Sequence, residues 1–208
     1  MESTSATTRR AVRLEYLTIG WAGTEAVVAL AAGLVAGSVA LVAFGADSGI
    51  ELISAVVVML RLRGLINLAT PDARREHRDH RILAVLFFAL AIYIVISAAI
   101  ALINRDQPSR SVAGLVICIA AAVAMPVFAY AKRVTATSLI DEDSKSVGRL
   151  VRADATESAL CGWLSVSTLL GVVLGSWIGW WWADPIAGLV VVVFALREGR
   201  EEWRCDRD

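Results

Sequence analysis

The chain is poor in the residues that build most catalytic and nucleic-acid sites. It has two histidines, three cysteines and four prolines in 208 residues, and 20 basic residues are matched by 20 acidic ones, so the formal net charge is zero. Without a basic excess, only local arginine clusters remain to attract nucleic acid, and no nucleic-acid partner is expected. Cys118, Cys161 and Cys205 stand far apart and form no CxxC pair. That spacing suggests neither a zinc knuckle nor a disulfide framework, and the three read as free thiols. No nucleophile with its base and no cofactor loop is found, so an enzyme and a bound cofactor are not expected. The N-terminal stretch from Met1 to Arg13 has no clear cleavage motif after it and reads as a retained cytoplasmic end.

Apolar residues are what the chain has in abundance. They make up 57% of it, with seven tryptophans, against about 45 to 50% in soluble domains. Apolar windows of about 20 residues mark bilayer spans, and six are found, at 15–36, 39–61, 82–103, 111–131, 148–176 and 183–200. The expected fold is an all-α membrane protein of six transmembrane helices with both termini cytoplasmic. Residues 1–14 are expected to form a cytoplasmic N-terminal segment, 15–200 a six-helix transmembrane domain and 201–208 a short cytoplasmic tail. Orientation follows from the arginines of the 61–81 connection and from Lys132, Arg133, Lys145, Arg149 and Arg152 around the next one on that side, since basic loops stay inside. A multi-pass protein of the cell membrane is the result. The tryptophans of Ser176 to Pro185 read as an aromatic belt, and Asp184 sits where a negative charge favours the start of the last helix.

Chemistry is expected where acids lie inside spans. Asp47 and Glu51 are four residues apart in the second span, on one helix face. Each costs about 2.5 to 3.5 kcal/mol to place at bilayer depth, and a shared cation compensates both; the alternative is a watery crevice or an arginine partner. Glu157 and Cys161 repeat the spacing in the fifth span, at a comparable depth of roughly 14 to 18 Å by the helical rise. Three carboxylates and a thiolate suit Zn²⁺ better than Mg²⁺ or Ca²⁺. As a small packing residue, Cys161 would have no such role. Glu25 in the first span is a further ligand or proton carrier, or else fixes packing through a hydrogen bond. His77 and His80, three apart, read either as a secondary metal pair or as part of a solvated loop.

These segments resemble a known family. Ala46-Asp47-Ser48-Gly49-Ile50-Glu51 is similar to the second helix of the cation diffusion facilitators, Ala153-Asp154 with Glu157 and Cys161 to their fifth, and Ala183-Asp184-Pro185-Ile186-Ala187-Gly188 to the start of their sixth. The resemblance implies divalent-metal/proton antiport, with metal held at Asp47, Glu51, Glu157 and Cys161. Where zinc-transporting members place His and Asp on the fifth helix, this chain has Glu and Cys. It further resembles a short branch without the family's cytoplasmic C-terminal domain, which implies a homodimer formed through membrane helices. The expected function is transport of a divalent transition metal, zinc foremost, out of the cytoplasm against protons. Two other readings stay open: a membrane metal-binding or regulatory protein without flux, and a proton-coupled exporter of organic cations.

Overall fold

A computed structural model describes residues 2–66, 73–141 and 145–205. They form six helices: α1 (Glu2–Ala36), α2 (Val39–Ile66), α3 (Ala73–Asn104), α4 (Val112–Asp141), α5 (Lys145–Val172) and α6 (Ala183–Cys205). A π-helical turn, Val173–Ile178, prolongs α5. Five of the helices are long and apolar enough to cross a membrane. The sixth, α6, is shorter in its apolar part, because the run ends at Leu196 and Arg197, Glu198 and Arg200 follow. Large apolar side chains such as Leu17, Val27, Val35, Ile92, Ile103 and Val123 stand exposed on the bundle's outside, as lipid-facing residues do.

Two helices outrun the expected spans. The first begins at Glu2 rather than near residue 15, and α4 runs on to Asp141 rather than stopping near 131. Neither extension contains a glycine or proline that would end a helix.

The connection between α1 and α2 is compact for a reason visible in the backbone. Gly37 takes a left-handed φ of 66°, and the Ser38 amide donates to the Gly33 carbonyl at 3.0 Å, which is the Schellman ending of a helix. Ser38 then starts α2, its hydroxyl accepting the Leu41 amide at 3.1 Å. The two helices approach closely where glycines face them: a Cβ on Gly33 would lie 2.7 Å from the Val42 amide nitrogen, and one on Gly45 2.7 Å from that of Leu30. Small residues at these two points let the helices pack closely.

Asp184 stands in the expected place at the start of α6 and serves a second helix as well. It lies in the first turn of α6, yet its carboxylate accepts from the Ser38 hydroxyl at 2.5 Å, the Val39 amide at 2.7 Å and the Ala40 amide at 3.4 Å. It therefore satisfies the orphan amides of α2, pinning α6 to the start of the helix that carries Asp47 and Glu51. Around it, Trp180 and Trp182 stack with ring centroids 5.4 Å apart, and Arg110 and Arg105 sit over Trp177 and Trp181.

The core lies between these helices. Helix α2 touches α1, α3, α5 and α6, while the most extensive pairings are α4 with α5, α1 with α2, and α3 with α6. Phe44, Ile50, Ile94, Met125, Cys161 and Val191 meet in one buried cluster. The middle of α2 and α5 is thus walled off on most sides.

Candidate metal centre

Glu25 from α1, Glu51 from α2 and Cys161 from α5 meet in the centre of the bundle, all three buried. One oxygen of each glutamate and the cysteine sulfur lie within 4.8 Å of one another, the one such group of three among the described residues. Three points that close share a centre about 2.8 Å or less from each, and Zn²⁺ bonds of about 2.0 to 2.3 Å need only small inward movements from there.

Each group is held by local partners. Glu25 accepts from the Trp21 indole one turn earlier at 2.6 Å and from the Ser48 hydroxyl at 2.6 Å, and the Cys161 thiol points at it from 3.5 Å. The Phe44 carbonyl, 3.0 Å from the Ser48 hydroxyl, is the other acceptor within reach of its single hydrogen. One oxygen of Glu51 accepts from Ser158 at 3.2 Å, while the other, Oε2, is buried with no hydrogen-bond partner. A buried carboxylate oxygen without a donor costs free energy, and a cation is the partner that suits it.

Asp47 and Glu157 are beside this trio rather than in it. Asp47, Glu51, Glu157 and Cys161 line one narrow cavity, together with Phe87, Leu160, Leu164, Phe194 and Glu198. Its volume of about 20 Å³ is room for one water or one ion. The Ser54 hydroxyl donates to Glu157 at 2.8 Å. So the structure brings all four sequence-predicted residues to one cavity, and gathers Glu25 most tightly with two of them. Cys118 and Cys161 are both free thiols, and Cys118 is buried in the apolar core. His77 and His80 fall in the first turns of α3, and their side chains are outside the described residues.

Sequence reasoning missed two features. Glu198 lines the cavity, although its neighbours Arg197, Arg200 and Glu201 make the segment read as a solvated helix end. Lys132, expected among the basic residues of a loop, is fully buried. Because α4 continues past it, Lys132 lies inside the bundle, ion-paired with Asp154 of α5 and, at 3.7 Å, with Glu15 of α1. Asp154 and Glu15 are themselves buried. The three make a charged cluster joined to the site through Ser158, to which Lys132 donates at 3.2 Å.

Buried carboxylates and a thiol, a cavity the size of an ion and a bundle of membrane-length helices are the parts of a cation pathway. No curated protein matches the chain closely enough to stand as a relative. The family model of the cation efflux transmembrane domain matches residues 18–204, nearly the whole chain and every residue of the buried trio and its cavity, and the protein belongs to that family.

Proposed function

We propose that this efflux protein carries a divalent transition metal, zinc foremost, in exchange for protons, and moves it out of the cytoplasm. The observation that carries the reading is the convergence of Glu25, Glu51 and Cys161 within 4.8 Å, with Asp47 and Glu157 on the adjoining cavity wall. A thiolate beside carboxylates favours Zn²⁺ and its borderline-soft neighbours over Mg²⁺ or Ca²⁺. Cys161, Glu51 and Glu25 form the core of the proposed coordination, and Asp47 or Glu157 supplies a fourth ligand from the cavity. Metal binding needs these groups deprotonated, so protons and cation compete for the same atoms, and that competition is the coupling.

The arginine-rich 61–81 connection supports termini on the cytoplasmic side of the cell membrane, which makes Glu198, fifteen residues into α6, a lining group of the inner half of the cavity. Homodimerisation through the exposed apolar helix faces belongs to the same proposal. The test is reconstitution of the purified chain in vesicles with a pH gradient across them. Saturable Zn²⁺ flux that collapses with the gradient is expected, and is lost in Cys161→Ser and Asp47→Ala. Absence of gradient-driven flux of Zn²⁺, Cd²⁺, Co²⁺, Fe²⁺ and Mn²⁺ overturns the transport reading. Zn²⁺ binding without flux would leave a membrane metal-binding protein instead.

A further inference from the structure

Lys132 is a buried cation that the proposed metal chemistry does not use, and it stands two hydrogen bonds from Glu51. An ammonium has three donors and no acceptor. Those of Lys132 face Asp154, Glu15 and the Ser158 hydroxyl oxygen. A serine hydroxyl has a single hydrogen. With its oxygen accepting from Lys132 at 3.2 Å, that hydrogen is turned outward, and the group in its path is Glu51 Oε1, also at 3.2 Å. The chain of donors therefore has one direction, from Lys132 through Ser158 to Glu51. It occupies one carboxylate oxygen and leaves Oε2, buried and without a hydrogen-bond partner, for a cation.

The geometry points to Lys132 as a positioning residue: anchored by Asp154 and Glu15, it orients the Ser158 hydroxyl, which holds the Glu51 carboxylate in the rotation that presents Oε2 to the metal. The inference rests on the metal reading above. Lys132 stands on α4 and its two anchors on α1 and α5, so the orientation of a ligand on α2 is set from other helices, one of which, α4, carries no proposed ligand. Outer partners of this kind hold a ligand in its productive rotation, and losing one costs about 10- to 100-fold in metal affinity. The serine's own alternatives explain why the lysine is needed. Without an ammonium at its oxygen, Ser158 is free to turn its single hydrogen to the carbonyl one turn back in α5, the alternative that the Phe44 carbonyl at 3.0 Å offers Ser48 in α2. Glu51 would then rotate freely and its two oxygens would become equivalent.

The test is calorimetric titration of the purified full chain with Zn²⁺, with folding checked by circular dichroism and melting. Ser158→Ala and Lys132→Gln should each weaken Zn²⁺ binding by about 10- to 100-fold. The double variant should weaken it no further, because both act through one hydroxyl, and Ser158→Thr, which keeps the hydroxyl, should restore most of the affinity. Were Lys132 only a strut between helices, its effect would multiply with that of Ser158→Ala. That multiplication, or a Ser158→Ala protein binding Zn²⁺ as tightly as the unaltered chain, overturns the inference. If Lys132→Gln does not fold, the Ser158→Ala and Ser158→Thr pair decides alone. Failure of the unaltered protein to bind Zn²⁺ removes the metal reading itself, whereas equal binding by the unaltered chain and Ser158→Ala removes only the role of Lys132.

Discussion

The cap that Asp184 places on α2 gives a stability prediction whose size follows from its hydrogen bonds. In Asp184→Ala, the Val39 amide and the Ser38 hydroxyl lose acceptors at 2.7 and 2.5 Å, while the 3.4 Å contact to Ala40 contributes little. Asp184 is 1% exposed, so water does not replace it freely. A buried donor left unpaired costs about 1 to 3 kcal/mol and loss of an N-terminal cap about 0.5 to 2 kcal/mol. Because the same groups are counted in both ranges, the expected total is about 2 to 4 kcal/mol. At about 2 to 4 °C per kcal/mol for a chain of this length, melting should fall by roughly 5 to 15 °C. Asp184→Asn retains a carbonyl for the Val39 amide, while its NH₂ turns the Ser38 hydroxyl from donor to acceptor, so the charge-assisted share and one acceptor are lost, about 1 to 2 kcal/mol. The order of melting is therefore unaltered chain, then Asn, then Ala. Tryptophan fluorescence in detergent at one fixed scan rate reads it directly, since the stacked Trp180 and Trp182 lie within four residues of position 184. Asp184→Ala melting with the unaltered chain, or Asn melting as low as Ala, refutes the cap.

Two further outcomes separate site from scaffold. Glu25→Gln keeps the volume but removes a charge from the trio, and should weaken Zn²⁺ binding at least tenfold and reduce the protons released on binding, measured by calorimetry in buffers of different ionisation enthalpy. Unchanged affinity and proton release would confine Glu25 to packing against Trp21 and Ser48. Gly33→Ala should destabilise by about 1 to 3 kcal/mol, because its Cβ meets the Val42 backbone at 2.7 Å and the helices must part. Gly20→Ala, with nothing within 4 Å of the added carbon, should be neutral or raise melting slightly through helix propensity; equal losses at both positions would refute the close α1–α2 approach.

Much of the fold is written in the sequence because lipid imposes one length on each span. Hydropathy windows locate the parts of helices that face hydrocarbon, and five of the described helices contain such a part. Windows do not locate helix ends. Nothing polar between Glu2 and Leu14 stops α1, so it begins well before its apolar run. The Gly37-Ser38 break was legible for the opposite reason: a left-handed residue followed by a capping serine is a local signal. Asp184 shows where local signals fail. Its place at the start of α6 suggests service to that helix, yet its acceptors are spent 146 residues away on Ser38, and no spacing rule reaches that far.

The site divides the same way. Asp47 with Glu51, and Glu157 with Cys161, were legible because four residues return a helix to one face. Which of them meet most closely depends on how the helices are rotated against each other, and that rotation draws Glu25 in and leaves Asp47 and Glu157 on the cavity wall. Lys132 was hidden by its neighbour. Counting Lys132 with Arg133 as one basic cluster treats them as a pair, but consecutive helical residues point about 100° apart, and Lys132 is buried while Arg133 is exposed. The clue lay in periodicity. Cys118, Ala121, Met125, Ala129, Lys132, Ala136 and Leu139 recur at steps of three and four, and every one is buried. A lysine inside such a stripe of small and apolar residues cannot be solvated by its own helix. It requires anions on whatever packs against that stripe, and the acids outside the expected ligand set, Glu15 near the start of the first span and Asp154 one turn before Ser158, are the ones that meet it.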